Sequence, residues 1–286
     1  FSSGSSDYLN RTPSSASNRK TFTLSFWVKR TKFGVNQTIY NVRPDSNGAN
    51  RISFHSTTDT FRIALEPINK YLFTSRVFRD PSAWYHFVLA FDTTQSTASN
   101  RIKMYINGVQ ETSFGTETYP DQNTDLDINS ANVIQISKDL ENNSNFVDGY
   151  LAEFVFIDGQ ALDPTSFGEF DSDSPTIWKP IDVSGLTFGT NGYYLDFENS
   201  GSLGADVSGQ GNNFTVNNLT AVDQSTDTCT NNFATLNPLV VIGNTGQTYE
   251  EGNLTFGASG TNWTHTNSTI GASQGKWYAE FRIDTL

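Results

Sequence analysis

Apolar side chains in this chain recur at every second residue, and no segment sustains the spacing of a helix face. In residues 21–30, Phe22, Leu24, Phe26 and Val28 alternate with Thr23, Ser25, Trp27 and Lys29. That pattern predicts a strand with one buried face and one more polar face. Shorter strands are predicted at 51–54, 60–65, 133–137 and 150–157. Residues 84–91 are almost continuously apolar, which predicts a central strand covered on both faces. Residues 101–106 alternate up to Asn107-Gly108, and 109–112 return. A two-residue type I′ turn needs positive φ at both central positions, which Asn and Gly supply. Asp158-Gly159 is a second turn, and 161–167 reads as one helical turn with Asp163 as its cap and Pro164 in the first position. Many short strands joined by polar turns predict an all-β, antiparallel sandwich of the jelly-roll kind.

Composition bears on whether such a sandwich can close. Only 36% of residues are hydrophobic, but 13% are aromatic and 22 are Phe. Large rings bury much area each, so a core is available without many Leu or Met. The net charge of -12 repels phosphate backbones, which argues against a nucleic-acid partner. Cys229 is the single cysteine, so no intrachain disulfide exists, and no His adjoins it to activate a thiolate. No run of 18 apolar residues is present to span a membrane as a helix. The chain starts at Phe1 with no initiator Met and ends within a strand-like segment, so it reads as a piece of something longer.

The pattern divides the chain in three. Residues 1–170 form the sandwich. Residues 171–251 are an Asn-, Gly- and Ser-rich strap with interspersed aromatics, expected to close the sandwich around 193–197. Residues 252–286, with strands expected at 253–256 and 275–283, open a second, partial β-sandwich.

Five stretches occur in order: Asp7-Tyr8-Leu9, residues 22–29, Trp84-Tyr85-His86-Phe87, Met104-Tyr105-Ile106-Asn107-Gly108 and Gly149-Tyr150-Leu151-Ala152-Glu153-Phe154. Together they resemble the laminin-G-like and concanavalin A-like lectin/glucanase families. Residues 206–213 resemble the segment that usually precedes the first strand there, yet here they follow the domain. Residues 252–286 resemble the opening of a SPRY-like domain. The whole arrangement, with residues 78–85 and 156–162, is similar to virion structural proteins of marine tailed bacteriophages. The resemblance implies a tail fibre, adhesin or capsid decoration on the virion surface. Such a protein would contact other virion proteins, cell-surface glycan and further copies of itself, as a trimer or lattice contact.

Chemistry is sparse. Hydrolases of this fold carry Glu-x-Asp-x-x-Glu on one strand, with a retaining pair about 5 Å apart. Here Glu169-Phe170-Asp171-Ser172-Asp173-Ser174 lacks the last Glu and runs into Pro175, so no enzyme is expected; a polysaccharide depolymerase is the alternative. His55, His86 and His265 lie far apart with no zinc spacing, and His86 reads as a hydrogen-bonded strand residue. No cofactor is required. Calcium is the candidate ion, since laminin-G-like domains bind it at a loop rim. Asp121, Asn123, Asp125 and Asp127 offer oxygens at alternate residues, though without the Gly and Glu of an EF-hand. The same spacing serves a solvated acidic loop. Asp206, Asn212 and Asn213 are a second cation candidate, and a calcium-dependent bacterial adhesion module a further alternative. Sugar binding on such a fold implies loop aromatics for stacking: Tyr119, Trp178 and Trp263, with Asp121 and Asn123 beside the first.

Overall fold

The computed structural model describes residues 1–45, 48–240, 246–259 and 264–283. Ten strands lie in the first 117 residues: β1 (Tyr8–Arg11), β2 (Thr21–Arg30), β3 (Gln37–Asp45), β4 (Gly48–Phe54), β5 (Thr60–Leu65), β6 (Lys70–Val77), β7 (Trp84–Asp92), β8 (Ile102–Ile106), β9 (Val109–Gln110) and β10 (Phe114–Glu117). There follow β11 (Ile134–Ile136), β12 (Gly149–Asp158), β13 (Gly168–Phe170), β14 (Trp178–Pro180), β15 (Tyr193–Leu195), β16 (Thr215–Asn217), β17 (Gln247–Glu250) and β18 (Thr255–Ala258). Two large antiparallel sheets result, beside the two-stranded pairs β13-β14 and β17-β18. One has eight strands in the order β10-β6-β5-β4-β3-β11-β1-β16, the other six in the order β15-β12-β2-β7-β8-β9. The expected all-β sandwich is the fold.

Period-two patterning decides what lies between the layers. Phe22, Leu24, Phe26 and Val28 of β2 point into a core shared with Phe54, Phe61, Phe87, Phe91, Phe154 and Phe156. The rings interlock across the layers, with Phe61 6.3 Å from Phe26 and 4.0 Å from Phe87 between centroids. The Asn107-Gly108 turn has the required positive φ, 49° and 79°. Asp163 caps a 3-10 turn over Pro164–Ser166 by accepting from Thr165 N–H.

The second face of β2 differs from expectation. Thr23, Ser25, Trp27 and Lys29 are as buried as the apolar set. The reason is that Phe167, together with Val183 and Phe188 of the strap, packs across the outside of the six-stranded sheet onto Val88, Val155 and Ile157. Three polar side chains of this face find partners: Thr23 Oγ1 donates to the Gln160 carbonyl, Ser25 Oγ pairs with His86, and Lys29 Nζ donates to Asp227 of the strap. Residues beyond 170 also supply an edge strand to each sheet. Tyr193–Leu195 pairs with β12, and Thr215–Asn217 pairs with β1. The strap thus adds strands to the sandwich edges, Tyr193–Leu195 within the stretch expected to close it.

The C-terminal part forms a two-stranded hairpin, Tyr249 opposite Phe256, rather than a second sandwich among the described residues. The expected strand at 253–256 starts at Thr255, because Gly252 at φ 66° opens a short turn. That turn is tied to the first domain by Tyr150 Oη donating to the Gly252 carbonyl (2.9 Å) and Asn253 Nδ2 to the Thr31 carbonyl (2.8 Å). Residues 275–283 alternate as a strand should, yet form none, and Trp277, Tyr278 and Phe281 are exposed. Alternation makes a strand only where an edge is there to pair with it.

Candidate functional site

The residues expected to carry binding are dispersed. Trp178 is buried on β14: its ring lies against Gly108 and Gly168, and its Nε1 donates to His86 Nδ1 at 2.8 Å. It has no free face for a sugar. Tyr119 is half-buried against the core, and its hydroxyl donates to Glu117 at 2.6 Å. Trp263 lies outside the described residues. The acidic loop does not converge on a cation. Asp121 faces Lys70 (3.4 Å), Asp125 faces Lys20 (4.0 Å) and Asp127 faces Arg19 (2.6 Å), while Asn123 sits at φ 64° with its N–H on the Thr93 carbonyl. Among the described residues no three His, Cys, Asp or Glu side chains gather to hold a metal. Asp206 spends its oxygens on the N–H groups of Tyr194, Ser208 and Asn212, and Asn213 accepts from Asp206 N–H, so this loop is self-satisfied. Glu169 and Asp171 share Lys179 on an outer hairpin, at 3.4 and 3.1 Å, and Lys179 holds the Asp171 carboxyl below its ordinary range.

His86 is a strand residue locked into the sealed face of the six-stranded sheet. Because Trp178 Nε1 donates to Nδ1, the ring proton sits on Nε2 and goes to Ser25 Oγ, 2.8 Å away. Trp27 stacks on the ring at 4.6 Å. Burial pulls His86 down to about 3. The unfolded chain, with a value near 6.5, therefore takes up the proton first. Stability falls as pH drops from about 6.5 toward 3, by up to about 1.4 kcal/mol per pH unit. Denaturant melts at about pH 6.5 and 5, above most carboxylate titration, read this slope. His86→Gln keeps an acceptor for Trp178 and a donor for Ser25, and flattens it; equal slopes in both proteins would clear His86 of the effect.

The same side of the molecule holds an acid-lined recess of about 220 Å³, bounded by Glu153, Asp196, Glu198, Asp223 and Asp227. Glu153 occupies a bulge in β12, at φ 50° where the register against β2 shifts. Burial raises its carboxyl, and Asp196 and Glu198 add to this, against a hydrogen bond from the Tyr194 hydroxyl. Asp227 is occupied by Lys29 and by Trp84 Nε1. Sequence reasoning passed over this group because the five acids are brought together by tertiary contact alone.

The outer face of the eight-stranded sheet is different in kind. Asn41 lies between core residues Tyr40 and Val42, Gln135 between Ile134 and Ile136, and Arg62 between Phe61 and Ile63, so all three point outward. Tyr71 and Phe73 flank the core residue Leu72 on β6 and share that outer face. Register lines these residues up: Gln135 opposite Asn41, Asn41 opposite Arg51, Arg62 opposite Phe73, and Ala64 opposite Tyr71. Arg51 is held by Glu66, Asp139 and Glu141. Arg62 makes no ion pair among the described residues and stacks 5.1 Å from the Phe73 ring, which sits 5.6 Å from Tyr71. Among the described residues, Asn41 Nδ2 and Gln135 Oε1 are buried with no hydrogen-bond partner, as is Arg62 Nε, while Asn41 Oδ1 accepts from Leu140 N–H. Buried amides left unsatisfied cost about 1–3 kcal/mol each, so they mark where water or a ligand belongs. Their residue types, amides and a guanidinium beside two half-exposed rings, suit hydroxyl-rich ligands with an apolar ring face. The one signal in the sequence is that each amide stands between two apolar residues, in Tyr40-Asn41-Val42 and Ile134-Gln135-Ile136.

A family model described as the concanavalin A-like lectin/glucanases superfamily, of the laminin G type, matches residues 3–166. Among solved structures the chain is similar in fold to a Bacteroides ovatus protein with a carbohydrate-binding designation (14% identity, 74% of this chain, 56% of that one, TM-score 0.47). It is also similar to the heptameric SAP-like pentraxin of Limulus polyphemus (14%, 55% and 71%, 0.41) and to domains LG4-5 of the mouse laminin alpha1 chain (10%, 56% and 41%, 0.38). The likeness thus spans little more than half the length of the Bacteroides protein. No curated protein matches the chain in sequence.

Proposed function

This chain belongs to the concanavalin A-like lectin/glucanase superfamily, and from that membership and the chemistry of its eight-stranded sheet we propose that it is a non-catalytic glycan-binding module. The observation that carries the reading is Arg62, without an ion pair among the described residues, stacked on the half-exposed Phe73 ring next to Tyr71, on the face where the amides of Gln135 and Asn41 are buried alongside. Amide and guanidinium groups would bond sugar hydroxyls or a sugar carboxylate, and the rings would take the apolar face of a pyranose. The other sheet favours this assignment by exclusion, since its outer face is covered by the strap.

A panel of immobilised neutral and acidic oligosaccharides, followed by calorimetry on the best binder, tests the reading. Arg62→Ala combined with Tyr71→Ala weakens binding at least about tenfold, roughly 1.4 kcal/mol, because both groups would face the sugar. Unchanged affinity in that double variant, or no sugar bound by the parent chain at about millimolar concentration, would reject the face. The same incubations, assayed for new reducing ends, separate binding from depolymerisation; the latter has the raised Glu153 carboxyl of the acid recess behind it.

In its wider setting we place the module on a virion surface, as tail fibre, adhesin or capsid decoration. There it would engage cell-surface glycan through the eight-stranded sheet, and neighbouring virion proteins or further copies elsewhere. The support for this is the sequence resemblance of residues 78–85 and 156–162, and labelled antibody against the chain, imaged on particles, tests it.

A further inference from the structure

Lys29 lies mid-sheet, with Trp84 opposite it on one neighbouring strand and Tyr150 on the other. Its side chain is fully buried. Three oxygens surround Nζ: Asp227 Oδ2 at 2.6 Å, Asn232 Oδ1 at 2.8 Å and the Phe233 carbonyl at 2.8 Å. Asp227 is itself fixed, because Trp84 Nε1 donates to its other oxygen at 3.0 Å. The Asn232 carboxamide is anchored at its far end, where Nδ2 donates to the Ser82 carbonyl at 2.7 Å. A primary amine, a carboxamide and a carboxylate are thus held together by elements far apart in the chain, under an aromatic wall in which the Tyr150 ring lies 5.7 Å from Nζ.

We propose that this cluster is a self-modifying site, in which Lys29 and Asn232 join in an intramolecular isopeptide bond with Asp227 as the proton carrier. Asp227 accepts a proton from the Lys29 ammonium, as an adjacent base activates an amine nucleophile. The freed lone pair on Nζ adds to Asn232 Cγ, and the carbonyl electrons move onto Oδ1. Asp227 passes its proton to Nδ2. As the carbonyl re-forms, the Cγ–Nδ2 bond breaks and the second surplus proton of Nζ leaves along the same route. Nζ keeps one hydrogen as an amide, Nδ2 departs with two added protons as ammonium, and Asp227 returns to its carboxylate. Charge and atoms balance with no oxidant or cofactor.

The geometry supports each requirement. The Nζ–Oδ1 contact of 2.8 Å puts Cγ one bond further on, near the separation of about 3–3.5 Å from which addition starts. Burial of Lys29 keeps water from competing as nucleophile, while Asn232 is exposed and gives ammonium a way out. The product would tie the strap to β2 across 203 residues of sequence, suiting a module that is pulled while it binds.

Intact mass of the folded full chain decides the matter. The parent protein is expected about 17 Da below its sequence mass, the loss of one ammonia. Proteolysis should yield a branched peptide joining the Lys29 and Asn232 segments. Asn232→Ala, at an exposed position, and Asp227→Asn each restore the full mass expected for their sequence. A succinimide at Asn232 would give the same mass change, but it yields no branched peptide and is cut by hydroxylamine. A parent chain at full sequence mass, or a loss mapped to that succinimide, overturns the proposal.

Discussion

Phe87→Ala is expected to lower the unfolding free energy by about 3–5 kcal/mol and to sit at the top of that range. Phe87 is fully buried on β7, and four rings from three further strands and the β6–β7 connection surround it: Phe61 at 4.0 Å, Phe78 at 5.3 Å, Phe26 at 5.5 Å and Phe54 at 5.9 Å. Truncation removes the transfer energy of the ring and leaves a cavity that these neighbours cannot fill, because three are pinned by their own strands and Phe78 is fully buried in the connection. It also deletes four ring–ring contacts, each worth about 0.5–1.5 kcal/mol beyond the area they bury. At about 2–4 °C per kcal/mol for a domain of this size, the melting midpoint falls by roughly 10 °C or more. Val222→Ala is the control: at 88% exposure it should change stability by less than about 0.5 kcal/mol. Equilibrium denaturation of the two variants tests the claim that rings between the layers carry the fold. Equal losses at Phe87 and Val222 would show that the energy lies elsewhere.

The sequence is legible where structure is local and opaque where it is not. Alternation of Phe22, Leu24, Phe26 and Val28 located β2 because side chains alternate across a strand whatever it pairs with. Asn107-Gly108 and Asp163-Pro164 were readable because their turn and cap are satisfied within a few residues. The strand β6 escaped notice because Tyr71, Leu72 and Phe73 are apolar in succession: Leu72 serves the core, and the other two serve the outer face. Residues 275–283 misled in the opposite sense, with a good alternation and no edge to pair with. Of the candidate site, only the odd polar residues Asn41 and Gln135 left a trace, since their alignment with Arg51 depends on register between strands from distant parts of the chain. Trp178 reads from the sequence only as a candidate for stacking on a sugar, because nothing local announces its partner at His86, 92 residues away.

Asp59→Asn should cost about 3–5 kcal/mol, the price of leaving a buried guanidinium without its counter-charge. Arg30 is fully buried, with Nη2 3.0 Å from Asp59 Oδ1, Nε on Gln37, Nη1 on the Phe78 carbonyl, and its plane 4.2 Å from the Phe54 ring. Burial draws Arg30 down to about 10, with Asp59 opposing, so the group is still a cation at neutral pH. Asp59 is the hub of this corner: it also accepts from Gly34 N–H at 3.0 Å and from Arg79 Nε at 2.7 Å. Burial works against its charge, but Arg79, the Gly34 N–H and Arg30 outweigh that and hold its carboxyl below the ordinary range. A depressed carboxylate stabilises above its unfolded value, and that contribution disappears as pH falls through the folded one. Asparagine is the informative replacement because Asp59 sits at φ 51°, a left-handed conformation that Asn tolerates and Ala does not. The substitution thus removes charge without adding backbone strain. Pairing Asp59→Asn with Arg30→Met should recover much of the loss, since an apolar side chain of similar length suits the ring of Phe54 and leaves no buried charge behind. A double variant no more stable than Asp59→Asn alone would mean that Asp59 acts through Gly34 and Arg79 at the loop rather than through Arg30 in the core. Chemical denaturation of the three proteins at neutral pH distinguishes these outcomes.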